Sequence, residues 1–199
     1  RQRQMCIRDR DKIGIKTGDT VSVLAFNTPE IFEAHYSIPM VGAVINAINT
    51  RLDSKTISYI LNHSEAKVLI VDRQFHDVIK KALEDVKQEI KIIDIDDKDA
   101  NLKDSKAIGS LEYEDFLNTG DEDYIWKLPK DEWQAIALGY TSGTTGNPKG
   151  VLYSHKSIVV HANMISLPDY FGFSATDSLM PITPMFHVNA WGATYASAM

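Results

Sequence analysis

Cysteine is almost absent from this chain. Cys6 stands alone, so no disulfide can form within the chain and no thiolate cluster can hold a metal. A reducing compartment, the cytoplasm, is the expected home. Long apolar runs are missing too. The longest, residues 38–48, is broken by Pro39, Gly42 and Asn46 and falls well short of the ~20 apolar residues that a membrane-spanning helix needs. No basic start followed by an apolar stretch marks a secretory leader. There is no excess of basic charge: 21 Lys and Arg stand against 27 Asp and Glu, a net charge of −6. That balance argues against nucleic acid as the main partner, while leaving room for a local basic site facing an anionic ligand. His35, His63, His76, His155 and His161 lack the spacing of metal ligands. Asp94, Asp96, Asp97 and Asp99 lack the glycine and closing glutamate of a calcium loop, so a solvated strand end is expected there.

What is present suits a soluble globular domain. Hydrophobic residues make up 44% of the 199 and charged residues 24%, enough for a core of useful size and for one domain with room for a small second one. The two ends differ from the rest. Residues 1–10 carry four arginines and no apolar periodicity. They look like translated adapter sequence and are expected to be a non-native scar. Residues 195–199 stop inside an apolar stretch with no helix stop signal, so residues 11–199 are expected to be an incomplete domain.

Strand and helix patterns alternate along the chain. Residues 19–27 read as a buried strand, and Thr28 with Pro29 and Glu30 opens a helix running toward Gly42. Residues 43–46 form a short strand, and Asp53 caps a helix through about His63. Residues 67–72 and 90–95 are strands around an amphipathic helix at 74–87, and 94–104 is a polar acidic loop. A short helix at 112–117 and a strand at 135–140 follow, then a strand at 150–154, a helix at 155–167, a strand at 177–181 and a helix beginning near Val188. No internal repeat is visible. Such alternation predicts an α/β fold with a mostly parallel sheet and helices on both faces.

The most informative stretch is Tyr140-Thr141-Ser142-Gly143-Thr144-Thr145-Gly146-Asn147-Pro148-Lys149-Gly150. Glycines let the backbone approach a ligand so that successive N–H groups converge on an anion. The hydroxyls of Thr141, Ser142, Thr144 and Thr145 add donors, and Lys149 adds a mobile positive charge. This is phosphate chemistry, set against the plainer reading of a flexible polar turn. It is not the Walker type, which needs G-x-x-x-x-G-K-[ST] opening a helix; here a strand follows. The pattern resembles the phosphate-binding signature of adenylate-forming enzymes: acyl-CoA synthetases, nonribosomal-peptide adenylation domains and luciferases. The resemblance implies that Thr141, Ser142, Gly143, Thr144, Thr145, Gly146 and Lys149 grip the pyrophosphate part of ATP. It also implies that Thr141 sits near Mg²⁺, and that Lys149 is catalytic, neutralising charge as pyrophosphate leaves.

A second stretch is Pro181-Ile182-Thr183-Pro184-Met185-Phe186-His187-Val188-Asn189-Ala190-Trp191-Gly192. His187 and Trp191 are four apart, which puts them on one face of the expected helix. Spacing alone leaves two readings open, an acyl pocket or a core histidine packed on a core tryptophan. Pro184-Met185-Phe186-His187 resembles the second core motif of the same enzymes. Val188-Asn189-Ala190-Trp191-Gly192 is similar to medium- and long-chain fatty acyl-CoA synthetases, as are residues 17–21 and 42–52, so the likeness covers about 11–199. It implies that His187 is catalytic and positions the acid, and that Trp191 gates the acyl chain.

The resemblance further implies a parent enzyme roughly two and a half times this length. That parent would take a fatty acid, ATP and coenzyme A, make acyl-AMP, and then make acyl-CoA. The Mg²⁺-binding acid, the ribose-binding aspartate and a late catalytic lysine would lie outside this chain. The fragment alone is expected to be inactive and, with an open sheet edge or apolar face, poorly soluble. Alternatives are a ligase for aryl or short-chain acids, a carrier-loading adenylation domain, or a non-catalytic nucleotide-binding module. Self-association as a homo-oligomer is left open.

Overall fold

The computed structural model describes residues 13–100, 106–120, 126, 128–141 and 146–198, and the side chain of Trp191 is not among what it describes. The strands are β1 (Thr20–Leu24), β2 (Val44–Ala47), β3 (Val68–Asp72), β4 (Lys91–Ile95), β5 (Leu111–Glu112), β6 (Ala135–Tyr140) and β7 (Gly150–Ser154). Among the described residues they form one sheet in the order β5-β4-β3-β1-β2-β6-β7. Every pairing is parallel except β6 with β7. The helices are α1 (Pro29–Met40), α2 (Ser54–His63), α3 (His76–Leu83), α4 (Tyr113–Asn118), α5 (His155–Ile165), and two short turns, α6 (Val188–Trp191) and α7 (Ala193–Ala196).

Strand alternation builds two cores. In β3, Val68 and Ile70 join α1, α4 and α5 through Ile31, Ile38, Phe116 and Ile158. Leu69 and Val71 face the other way, onto Ile57, Ile60 and Leu61 of α2 and Ile79 of α3. Successive side chains of a strand point to opposite faces, so both faces of the sheet need a helical cover, and both have one.

Local chemistry sets the element ends. Asp53 Oδ1 accepts a bond from Thr56 N at 2.7 Å and starts α2, and Ser154 Oγ accepts from Ser157 N at 3.1 Å to start α5. Thr28 occupies the cap position of α1, but its hydroxyl makes no capping bond. α3 ends short of the expected residue 87. Asn62 takes over the backbone there, donating to Asp85 O and accepting from Lys87 N, each at 2.9 Å.

Two further expectations are corrected. Asp94 is not solvated: it is 1% exposed and accepts bonds from Ile108 N and Gly109 N at 3.0–3.1 Å. A buried carboxylate needs such donors, and they fold the chain after β4 back onto it. Residues 177–181 form no strand, because no neighbouring strand lies beside them among the described residues. Leu179, Met180 and Ile182 stay exposed.

Candidate functional site

β1, β2 and β6 run side by side in one direction, so their C-terminal ends share one edge of the sheet. In open α/β sheets that edge, where the strand order turns back, is where ligands bind. Asn27 follows β1, Asn49 and Arg51 follow β2, and Thr141 follows β6.

β6 and β7 form a hairpin whose tip is the glycine-rich stretch. Its neck is closed reciprocally: Thr141 N donates to Lys149 O at 3.0 Å, and Lys149 N donates to Thr141 Oγ1 at 3.2 Å. Residues 142–145, with Ser142, Gly143, Thr144 and Thr145, lie outside the described residues. Gly146 has φ +100 with nothing within 4 Å of where a Cβ would stand, a conformation that side-chain-bearing residues avoid. Lys149 is exposed.

Below the neck, the Tyr140 hydroxyl lies 2.8 Å from His63 Nδ1. His63 in turn stacks on Tyr59 with centroids 5.4 Å apart. Burial pushes the Tyr140 phenol up to about 12, so it stays protonated near neutrality. The hairpin is also held from within the sheet. Asn46, fully buried, donates from Nδ2 to Leu138 O at 2.9 Å and accepts from Ser22 Oγ at 3.0 Å.

His187 arrives from the other side, exposed and at the lip of the same space. A cavity of about 510 Å³ is lined by Asn49, Arg51, Thr141, Tyr153 and His187, a size in the ~300–1,000 Å³ range of small-molecule sites. The structure therefore brings Thr141 and His187 together. Lys149 is not part of the described wall; Arg51 is, and its side chain makes no ion pair among the described residues. Sequence reasoning singled out neither Asn49 nor Arg51 as site residues. Their signal was the position just after a strand, legible only once β2 is known to lie between β1 and β6.

The expectation that one helical face carries His187 and Trp191 is corrected. Val188, Asn189 and Ala190 have φ of 49, 50 and 51, and Gly192 follows at φ +79. The segment is a left-handed turn, so the i, i+4 relation of a right-handed helix does not apply. Behind it, His35 of α1 is fully buried and its Nδ1 donates to Ile31 O at 2.7 Å. Its ring meets Tyr195 edge-on at 5.8 Å, and burial holds the imidazole below its usual pKa, hence neutral.

The model of the AMP-binding enzyme family matches residues 10–199. This chain belongs to that family. Among curated relatives it is 40% identical over 194 residues to an acetate–CoA ligase of Humulus lupulus, covering 92% of this chain and 34% of the relative. It is 39% identical over 188 residues to a medium-chain-fatty-acid–CoA ligase of Ectopseudomonas oleovorans, covering 94% and 34%. A solved long-chain-fatty-acid–CoA ligase of Archaeoglobus fulgidus superposes with a TM-score of 0.79 at 25% identity, over 97% of this chain and 36% of that one. The chain thus spans about a third of the length of the relatives it matches. The α/β fold and its mostly parallel sheet agree with these members of the family. No described helix is long and apolar enough to cross a membrane.

Proposed function

We propose that this chain is the phosphate-gripping and acid-facing part of a longer acid–CoA ligase whose acid is a fatty acid. The observation that carries the reading is the shared cavity of Thr141 and His187. One wall is the hairpin neck suited to phosphate, and the other is the segment that resembles the family's acid-binding motif. In the proposed reaction a carboxylate oxygen attacks the α-phosphorus of ATP and the bond to the β-phosphate breaks. Pyrophosphate leaves and acyl-AMP remains. The sulfur of coenzyme A then attacks the acyl carbon and AMP departs.

In this scheme Thr141, Ser142, Gly143, Thr144, Thr145 and Gly146 hold the phosphates, with Arg51 on the cavity wall and Lys149 at the hairpin neck as the cations. Preset charge of this kind stabilises a departing polyanion at no reorganisation cost. His187 orients the carboxylate, and Trp191 borders the acyl chain. Magnesium demands several oxygen ligands. The described residues include no group of three or more His, Cys, Asp or Glu able to hold a metal, so Thr141 Oγ1 is the proposed contribution of this chain and no step above runs through the ion. We also propose residence in the cytoplasm, because residues 11–199 carry no cysteine that could form a disulfide.

The acetate-specific name of one relative favours a second reading, a ligase for short acids. The test is a series of straight-chain acids from acetate to palmitate, offered to the longer protein with ATP and coenzyme A while acyl-CoA is followed by chromatography. A kcat/KM maximum at medium or long chains supports the fatty-acid reading. A maximum at acetate or butyrate replaces it with the short-acid one.

A further inference from the structure

We propose that Asn27 is a positioning residue that sets the acid side of the site against the phosphate hairpin; this rests on the ligase reading above. Asn27 stands just past β1, the central strand. Its Nδ2 donates to Pro181 O at 3.0 Å and to Thr183 O at 3.2 Å, and its Oδ1 accepts from Met185 N at 2.8 Å. For one amide to reach positions 181, 183 and 185 their backbone groups must converge, and the segment does curl around Asn27, with a bend at residue 183 and a turn at 185–186. One side-chain amide thus gathers the backbone of a segment that has no ladder partner among the described residues.

Two residues beyond Met185 the chain reaches His187. Pro184, Phe186 and His187 all line the same cavity as Thr141. Thr141 is fixed by β6, and the His187 segment hangs on Asn27 at the end of β1. Only β2 separates those strands, so the anchors Asn27 and Thr141 follow strands two spacings, about 10 Å, apart. An amide suits the task because it offers donors to two carbonyls and an acceptor to one N–H at once. A carboxylate would turn an oxygen lone pair toward Pro181 O and Thr183 O, and an apolar side chain would release all three groups. Because Asn27 is exposed, its bonds compete with water. Their loss frees the segment without unfolding the sheet.

The test compares the longer ligase with its Asn27→Ala and Asn27→Asp variants, using steady-state kinetics and amide hydrogen exchange on the same samples. Both variants are expected to raise KM for the acid about tenfold or more, the scale set by a misplaced reacting group, while KM for ATP stays within about twofold, as for binding energy left untouched. The Met185 amide should exchange faster in Asn27→Ala, with Val23 and Leu24 in β1 unchanged. Asn27→Asp, which keeps the acceptor, should protect Met185 better than Asn27→Ala does. A parallel rise in both KM values, faster exchange throughout β1, or unchanged Met185 exchange would each overturn the assignment. If the unmodified protein activates no acid, the ligase reading falls, and the exchange pattern alone decides whether Asn27 holds the segment.

Discussion

Lys149 precedes β7 and Arg51 follows β2, and the two cations should act alike on the nucleotide. On the proposed reading, Lys149→Ala lowers kcat/KM for ATP in acyl-AMP formation about a hundredfold, the usual loss for a preorganised group facing transition-state charge. Arg51→Met should act in the same direction, and pyrophosphate-release kinetics at saturating acid would measure both. Trp191→Ala should move the preferred acid length instead, leaving KM for ATP unchanged. Thr141 and His187 were legible in the sequence because each lies in a contiguous pattern whose chemistry is local. Arg51 and Asn27 were not. The partners of Asn27 lie 154–158 residues away, and no spacing rule reaches that far.

Elements were legible wherever one periodicity ruled. β6 and β7 fall where alternation placed them, and the Asp53 cap starts α2. Misreadings arose where a distant group overrode local preference. Asn62 truncates α3, Asp94 is buried by backbone donors from residues 108 and 109, and residues 177–181 lack a strand partner. Asn46 binds two strands through its side chain, since β2 and β6 share a single matched pair, Ile45 with Ala137. Asn46→Ala leaves the Ser22 hydroxyl and Leu138 carbonyl without their partner, and should cost about 2 kcal/mol in urea unfolding. His35 couples α1 to acidity. Its folded pKa lies below the ordinary 6.5, so the unfolded state binds the proton more readily. The His35 contribution is complete above about pH 6.5 and is lost as pH falls below that value. His35→Gln should flatten this part of the dependence of Tm on pH.

At the scale of the whole molecule, β7 is the last strand of the described sheet, and Leu152 on it is 64% exposed. Met180 at 82%, Ile182 at 86%, and Val159 and Met164 of α5 are further exposed apolar side chains. Surfaces of this kind drive association. The isolated chain should therefore scatter light at concentrations where Leu152→Lys with Ile182→Ser stays clear. The same isolation should leave it without ligase activity, since the chain spans only about a third of the length of the relatives it matches. The most direct measurement is acid-dependent exchange of labelled pyrophosphate into ATP by the longer protein, with and without Lys149→Ala. Exchange should require a fatty acid and collapse in the variant. Exchange with no carboxylic acid from acetate to palmitate, or exchange indifferent to Lys149, would contradict it.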